Sequence, residues 1–129
     1  MRTRELGKIY GDGEPIILQG EIGDCMYVLQ AGQAEVVAEG PNGQVRLAVL
    51  EPGDVFGEMA LFTKAPRSTT VRAVGEIRAL TIDKKGFLKR VHEDPSLAFR
   101  ILQKMSQRIL EINREVVRLN EQIRDTKQG

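Results

Sequence analysis

Two charged residues, Glu58 and Arg67, stand nine positions apart in a stretch that also contains glycine, proline and hydroxyl side chains. A guanidinium can hold a phosphate through two parallel charge-assisted hydrogen bonds, each contributing roughly 1.5–3 kcal/mol. A carboxylate cannot help to bind a phosphate, so Glu58 must serve another part of the same ligand. A ribose hydroxyl is the group that seeks such an acceptor. The pair therefore predicts a site for an anionic sugar.

The residues after Gly57 are predicted to form a single helical turn. Gly57 permits a tight backbone turn, and Glu58 to Leu61 are good helix formers. The first N–H groups of such a turn have no intrahelical acceptor, so we expect them to face the same anion. The alternative is that Arg67 is a surface residue with Glu58 as its salt-bridge partner, the ordinary interpretation of an isolated pair.

The stretch from Gly53 to Ala73 resembles the phosphate-binding cassette of cyclic-nucleotide-binding domains. Such domains occur in bacterial catabolite-activator-like regulators, protein kinase regulatory subunits and cyclic-nucleotide-gated channels. The residues that carry the likeness are Gly57-Glu58-Met59-Ala60-Leu61 and, after a gap, Pro66-Arg67-Ser68-Thr69-Thr70-Val71-Arg72-Ala73.

The resemblance implies a role for each residue of the site. Arg67 would bind the cyclic phosphate, Glu58 the ribose 2′-hydroxyl, and Ser68 a phosphate oxygen or the base. Backbone groups at the helical turn would bind the remaining oxygens. The expected ligand is cAMP, with cGMP as the alternative, and no cofactor is expected. The expected ligand-binding residues are Gly57, Glu58, Met59, Ala60, Arg67, Ser68 and Thr69.

Residues 11 to 82 carry the pattern of a β-rich domain, because glycines separate short apolar runs. Gln30-Ala31-Gly32 lies between two such runs and predicts a hairpin, and Pro41-Asn42-Gly43 predicts a second turn because Asn-Gly tolerates positive φ. Many short strands with turns between them predict a sandwich or a rolled barrel. The resemblance implies a mainly β fold with helices, built on an eight-stranded antiparallel, jelly-roll-like β-roll. The runs are Pro15–Leu18, Met26–Leu29, Ala34–Ala38, Val45–Leu50, Val71–Val74 and Ile77–Ile82.

The last third of the chain has a helical pattern. Lys84–Asp94 is predicted to be a short helix with Phe87, Leu88 and Val91 on one face, and no glycine or proline occurs from Leu97 to Thr126. We therefore expect residues 1–94 to form the β-roll, with the cassette at 53–73, and residues 95–129 to form a long helix. Its apolar residues alternate in steps of four and three, which is a heptad pattern: Ala98, Leu102, Met105, Ile109, Ile112, Val116, Leu119 and Ile123.

Such a helix, at ~1.5 Å per residue, extends for about 45 Å and is longer than a small domain needs. The apolar stripe is expected to pack on its own barrel only over its first two turns. For the distal part a homodimeric coiled coil is predicted, with two parallel helices favoured by the β-branched residues in one column. The predicted dimer contacts are Ile109, Ile112, Val116, Leu119 and Ile123.

The resemblance also implies that this helix closes over the nucleotide and contacts the base. Asn113 could bond an adenine edge through its amide, whereas Ile112 can only pack. Arg108 could make a cation–π contact or pair near the phosphate. These three residues are the base-contact candidates.

Composition limits the other function classes. Nineteen basic against eighteen acidic residues give a net charge of +1, so direct nucleic-acid binding is not expected. Cys25 and His92 are the single cysteine and the single histidine, too few for a disulfide framework, a zinc site or a cupin-type metal centre. No serine has a positioned base, and no acid/base pair accompanies Glu58, so no catalytic residue and no metal are expected. No membrane span or signal peptide is recognised, and a reducing cytoplasm is the expected location.

The output of such a domain must come from another part of a protein. The sequence shows no helix-turn-helix after the long helix, and the favoured expectation is the regulatory domain of a transcription regulator. The alternatives are a stand-alone sensory or adaptor dimer and the regulatory domain of a channel or an enzyme. An enzyme in its own right, such as a β-roll cyclase or isomerase, is disfavoured.

Overall fold

The computed structural model of the protein describes residues 6 to 128, and its side chains as far as residue 124. These residues fall into two compact units, one ending at Lys89 and the other beginning at Arg90. The elements in chain order are β1 (Lys8–Tyr10), β2 (Pro15–Ile17), β3 (Cys25–Gly40), β4 (Gly43–Leu50), β5 (Val55–Phe56), a 3-10 helix (Glu58–Leu61), β6 (Thr70–Asp83), α1 (Lys84–Glu93) and α2 (Ser96–Gln128).

The first unit is built on two long strands, β3 and β6, which pair antiparallel along most of their length. β1 and β2 pair with β6, whereas β4 and β5 pair with β3, and every pairing is antiparallel. The prediction of a mainly β, antiparallel fold followed by a long C-terminal helix is confirmed. β2 directly precedes the loop of residues 18–24, and β5 directly precedes the turn at Gly57, so both segments are attached to the sheet.

The described chain contains six strands instead of the predicted eight. The predicted hairpin at Gln30-Ala31-Gly32 is wrong, because this segment lies inside β3 and shifts its register against β6 without reversing the chain. Gly32 has a φ of 82°, and a β-carbon there would lie 2.6 Å from the Glu76 carbonyl oxygen. The glycine therefore marks a bulge where two backbones approach closely. The two runs predicted around Gly75, which has a φ of 71°, likewise form the single strand β6.

The second predicted turn is confirmed. β3 and β4 form an antiparallel hairpin in which Gly40 is paired with Gly43, so Pro41 and Asn42 make the connection. Gly43 has a φ of 106°, which a residue with a β-carbon adopts only with strain.

The core lies on one face of the paired strands. Side chains that alternate along β3 and β6 turn inward, and Leu29 and Ala79, which are register partners, are fully buried. Burial of a large apolar side chain contributes about 1.5–3 kcal/mol, so this face supplies most of the driving force for folding. The contiguous core consists of Tyr10, Ile17, Leu29, Ala34, Leu50, Phe56, Val71, Ala73, Ile77 and Ala79.

The short helix α1 ends one residue before its predicted limit. Phe87 is buried and Val91 is half-buried, as the predicted apolar face requires. The placement of Leu88 on that face is wrong, since its side chain is 57% exposed. Leu88 follows Phe87 directly and is therefore turned about 100° around the helix from it. His92 is exposed.

The long helix α2 begins where the sequence predicts. The Asp94 carboxylate accepts hydrogen bonds from the Ser96 hydroxyl (2.6 Å) and the Ser96 N–H (3.1 Å), which caps the helix start. The same bonds hold the pKa of Asp94 below its usual range. Within α2 Leu97 and Ile101 are buried, but the distal stripe from Ile109 to Ile123 is exposed. No helix among residues 6–128 combines the length and apolar content needed to cross a bilayer.

Candidate functional site

The helical turn predicted after Gly57 is present as a 3-10 helix. Gly57 has φ 74° and ψ 15°, a left-handed conformation from which the backbone turns directly into Glu58. A β-carbon at Gly57 would lie 2.8 Å from Ile17 Cδ1 and 2.9 Å from Arg67 Nη1. Glycine is therefore required here for both its conformation and its size.

Arg67 is held against this turn by two backbone carbonyl groups. Its Nη1 donates to the Gly57 oxygen at 2.8 Å, and its Nη2 donates to the Cys25 oxygen at 2.7 Å. The side chain is half-buried. A guanidinium carries five N–H groups in a fixed plane, so fixing two of them sets the direction of the others. Gly57 and Arg67, which lie ten positions apart within the predicted cassette, are thus in direct contact.

A loop formed by residues 18 to 24 binds the backbone of the arginine. The Gly20 N–H donates to the Arg67 carbonyl, and the Arg67 N–H donates to the Glu21 carbonyl, both at 2.8 Å. Gln19 is tied to the end of the cassette through its N–H and Thr70 Oγ1 at 2.9 Å. This loop was not predicted as part of the site. The sequence does contain a signal for a loop here, because Gly20 and Gly23 stand close together with no apolar periodicity between them.

Glu58 is the second charged residue of the predicted site. Its side chain is 3% exposed, and it is the one buried charged side chain among the described residues. Burying a carboxylate is costly unless polar groups compensate for its lost hydration. Glu58 directly follows Gly57, whose carbonyl accepts a hydrogen bond from Arg67, so the buried residue is next in sequence to the residue that anchors the arginine.

The other predicted ligand-binding residues lie on the same two segments. Met59 is 49% exposed, and Ala60 is half-buried in the 3-10 helix. Ser68 is exposed and Thr69 is half-buried, directly after Arg67. Their roles toward a ligand stay predictions.

The base-contact candidates lie on α2, in the second unit. Arg108, Ile112 and Asn113 are all exposed, and Ile112 has 54% of its surface free. Their contact with a base also stays a prediction.

An aromatic pair supports the glycine of the turn. The rings of Tyr27 and Phe56 stack with centroids 5.4 Å apart and an angle of 16° between their planes. Tyr27 Cδ2 would be 3.5 Å from a β-carbon at Gly57. Burial raises the pKa of Tyr27 above its ordinary value, as does its hydrogen bond with the Cys25 thiol, while the charge of Arg67 acts in the opposite direction. Tyr27 is therefore an uncharged wall of the site.

A second aromatic contact joins the cassette to α1. Phe62 follows the 3-10 helix, and its ring meets the ring of Phe87 edge-on, with centroids 5.9 Å apart and planes at 90°. This geometry is a favoured one for aromatic pairs. A displacement of the 3-10 helix would therefore act directly on α1.

Comparisons with known proteins identify the family of this chain. The family model described as the cyclic nucleotide-binding domain matches residues 8–94. The cyclic AMP receptor protein of Thermus thermophilus is 30% identical over 110 residues, which cover 84% of this chain and 51% of the relative. The cAMP-dependent protein kinase regulatory subunit of Mucor circinelloides is 39% identical over 80 residues, covering 62% of this chain but 19% of the relative.

Solved structures with a similar fold include a bacterial regulator and an enzyme. The catabolite activator protein of Thermus thermophilus matches with a TM-score of 0.81 at 28% identity, and the match covers 88% of this chain and 54% of that one. The EAL enzyme Bd1971 in a half-site-occupied form matches with a TM-score of 0.65 at 30% identity, covering 79% of this chain and 95% of that one. The chain spans about half the length of the bacterial regulators that it matches, and less of the kinase subunits.

Proposed function

Because the chain belongs to the cyclic-nucleotide-binding domain family, we propose that it binds cAMP between the 3-10 helix and Arg67. cGMP is the alternative ligand. In this proposal Arg67 binds the cyclic phosphate and Glu58 accepts a hydrogen bond from the ribose 2′-hydroxyl. Backbone groups of Gly57, Met59 and Ala60 bind the remaining oxygens, and Ser68 and Thr69 complete the site.

The observation that carries this proposal is the position of the Arg67 guanidinium. It is fixed by the Gly57 and Cys25 carbonyls at 2.8 and 2.7 Å, in direct contact with the turn that bears Glu58. A planar fork held in this way can bind an anionic oxygen pair without first losing side-chain freedom. The buried carboxyl of Glu58 supports the second half of the assignment, because burial strengthens its interaction with a hydroxyl donor.

The signal is proposed to travel from the cassette to the long helix. The phosphate is proposed to bind N–H groups of the Arg67 guanidinium other than the two that donate to the carbonyls, together with backbone N–H groups of the 3-10 helix, and so to draw this helix toward Arg67. The edge contact between Phe62 and Phe87 passes that displacement to α1. α1 is joined through Asp94 and Pro95 to α2, which is repositioned over the base. Such a shift requires that the ligand bind one arrangement better than the other, typically by ~1–3 kcal/mol.

The favoured output is the control of transcription. Two of the matched relatives are described as a cyclic AMP receptor protein and as a cAMP-activated global transcriptional regulator. The exposed heptad stripe of α2 supports a homodimer, which is proposed to form through Ile109, Ile112, Val116, Leu119 and Ile123.

A second candidate is the regulation of an enzyme. The likeness to kinase regulatory subunits and to a structure described as an EAL enzyme favours it. In both cases the nucleotide site and the proposed motion of α2 are the same, and only the attached partner differs.

Replacement of Glu58 tests the ribose assignment. We expect Glu58→Ala to weaken cAMP binding by about tenfold or more, because it removes a hydrogen bond to a charged acceptor, which contributes roughly 1.5–3 kcal/mol. The 2′-deoxy analogue of cAMP lacks the hydroxyl, so it should bind the wild type as weakly as cAMP binds the variant. Calorimetric titration of both proteins with both ligands measures the four affinities.

The ratio of the affinity for cAMP to the affinity for its 2′-deoxy analogue, compared between the wild type and the variant, shows whether Glu58 binds the hydroxyl directly or only supports the structure. If Glu58 binds the hydroxyl, the preference for cAMP over its 2′-deoxy analogue is large in the wild type and nearly disappears in Glu58→Ala, which has no side-chain acceptor. An unchanged preference in the variant would contradict the assignment. The absence of cAMP and cGMP binding to the wild type would refute the proposed function itself.

A further inference from the structure

We propose that Gly23 is a positioning residue for Arg67, an inference that rests on the nucleotide site proposed above. The Arg67 guanidinium lies directly on the Gly23 backbone. A β-carbon built at Gly23 would be 2.4 Å from Arg67 Nη2, 2.5 Å from Nε and 2.7 Å from Cζ. Ordinary contact for such a carbon begins at about 3.4 Å. A methyl group at position 23 therefore cannot coexist with the guanidinium in its observed position.

The guanidinium cannot move away without losing contacts. Its two terminal nitrogens are bound to the carbonyls of Gly57 and Cys25 at 2.8 and 2.7 Å. The Arg67 backbone is itself fixed to Gly20 and Glu21 by a reciprocal pair of hydrogen bonds. A displacement of the guanidinium by about 1 Å would bend or lengthen these two hydrogen bonds and so weaken them. The lack of a side chain at Gly23 thus allows the Arg67 guanidinium to keep its hydrogen bonds to the two carbonyls.

The requirement at position 23 is one of space and not of backbone conformation. Gly20 and Gly57 have φ values of 91° and 74°, which disfavour any residue with a β-carbon. Gly23 is not among the glycines with positive φ. Its backbone can therefore accept alanine, and the atoms that a new methyl group meets most closely belong to the Arg67 guanidinium. Gly23→Ala is for this reason a selective probe of the position of that group.

Binding measurements test the proposal, with Gly11→Ala as the matched control. Gly11 also lacks positive φ, and a β-carbon there has no atom within 4 Å. We expect Gly23→Ala to weaken cAMP binding by about tenfold or more and Gly11→Ala to leave it within about twofold. Equal affinities of the two variants would overturn the proposal.

A double-mutant cycle on the ligand-free protein separates positioning from a general structural role. In the wild type, Gly23→Ala should lower Tm because the guanidinium is forced out of its two hydrogen bonds. In an Arg67→Ala background there is no guanidinium to displace, so the same change should leave Tm unaltered. An equal loss of Tm in both backgrounds would show that Gly23 does not act through Arg67.

The two experiments also distinguish this inference from the proposed function. A wild type that binds no cyclic nucleotide would refute the proposed function, yet the Tm cycle would still report whether Gly23 positions Arg67. A wild type that binds cAMP, together with Gly23→Ala binding equally well, would refute only the role of Gly23.

Discussion

Arg67→Ala should weaken cAMP binding by about 100-fold or more. The substitution removes the proposed phosphate fork, whose two charge-assisted hydrogen bonds contribute roughly 1.5–3 kcal/mol each, and tenfold in affinity corresponds to about 1.4 kcal/mol. The phosphate would also lose the cation that offsets its charge near the buried carboxyl of Glu58. Calorimetric titration of the purified chain measures the loss directly.

Arg78→Ala is a matched control for this substitution. Arg78 is also half-buried, and its Nη1 donates to a backbone carbonyl, that of Gly7, at 3.0 Å. Both variants thus remove a guanidinium that is bound to a carbonyl, but only Arg67 belongs to the cassette. Arg78→Ala should keep the wild-type affinity.

A conservative substitution separates charge from geometry. Arg67→Lys keeps the positive charge but loses the planar fork, so its affinity should lie between those of the wild type and Arg67→Ala. Equal losses in Arg67→Ala and Arg78→Ala, or an unchanged affinity of Arg67→Ala, would contradict the role given to Arg67.

Val116→Asp should convert the chain from a dimer to a monomer at micromolar concentration. Val116 lies in the heptad stripe of α2 and is 49% exposed in the single chain. In a parallel coiled coil its two copies would face each other, so the substitution would bury two like charges in an apolar seam. We expect the dimer dissociation constant to rise by about 100-fold or more. Sedimentation velocity over a concentration series measures it.

Gln107→Asp provides the matched control on the same helix. It introduces the same charge at an exposed position that lies outside the alternating stripe, so the dimer should persist. A wild type that sediments as a monomer would overturn the coiled-coil proposal. A dimer that survives Val116→Asp would show that the partner helix contacts another face of α2.

The cassette could be predicted from sequence because its chemistry is local. Gly57, Glu58 and Arg67 stand within eleven consecutive residues, and their types alone restrict the ligand to an anion with a hydroxyl group. The turn at Asn42-Gly43 was predictable for a similar reason, since a backbone position with positive φ is usually occupied by glycine. The long helix α2 was predictable because no glycine or proline interrupts the chain from Leu97 to Thr126.

The rest of the site depends on contacts between distant residues. Cys25 supplies a carbonyl to Arg67 across 42 positions, and a residue of any type could offer the same backbone carbonyl in that place. Sequence type therefore carries no trace of that contact. Gly32 gave the wrong prediction because a glycine in a turn and a glycine in a bulge look alike until the partner strand is known. Gly23 was not predicted as a site residue. The role proposed for it depends on the absence of a side chain, which leaves room for the Arg67 guanidinium, and that group comes from a distant part of the chain.

The most direct test of the central claim is nuclear magnetic resonance of the isotopically labelled wild-type chain during titration with cAMP. If the phosphate binds the fork, the Nε–H resonance of Arg67 and the backbone amide resonances of Gly57 and Met59 shift together and saturate at one nucleotide per chain. Saturable binding that leaves these three resonances unmoved, with the shifts gathered elsewhere on the chain, would contradict it.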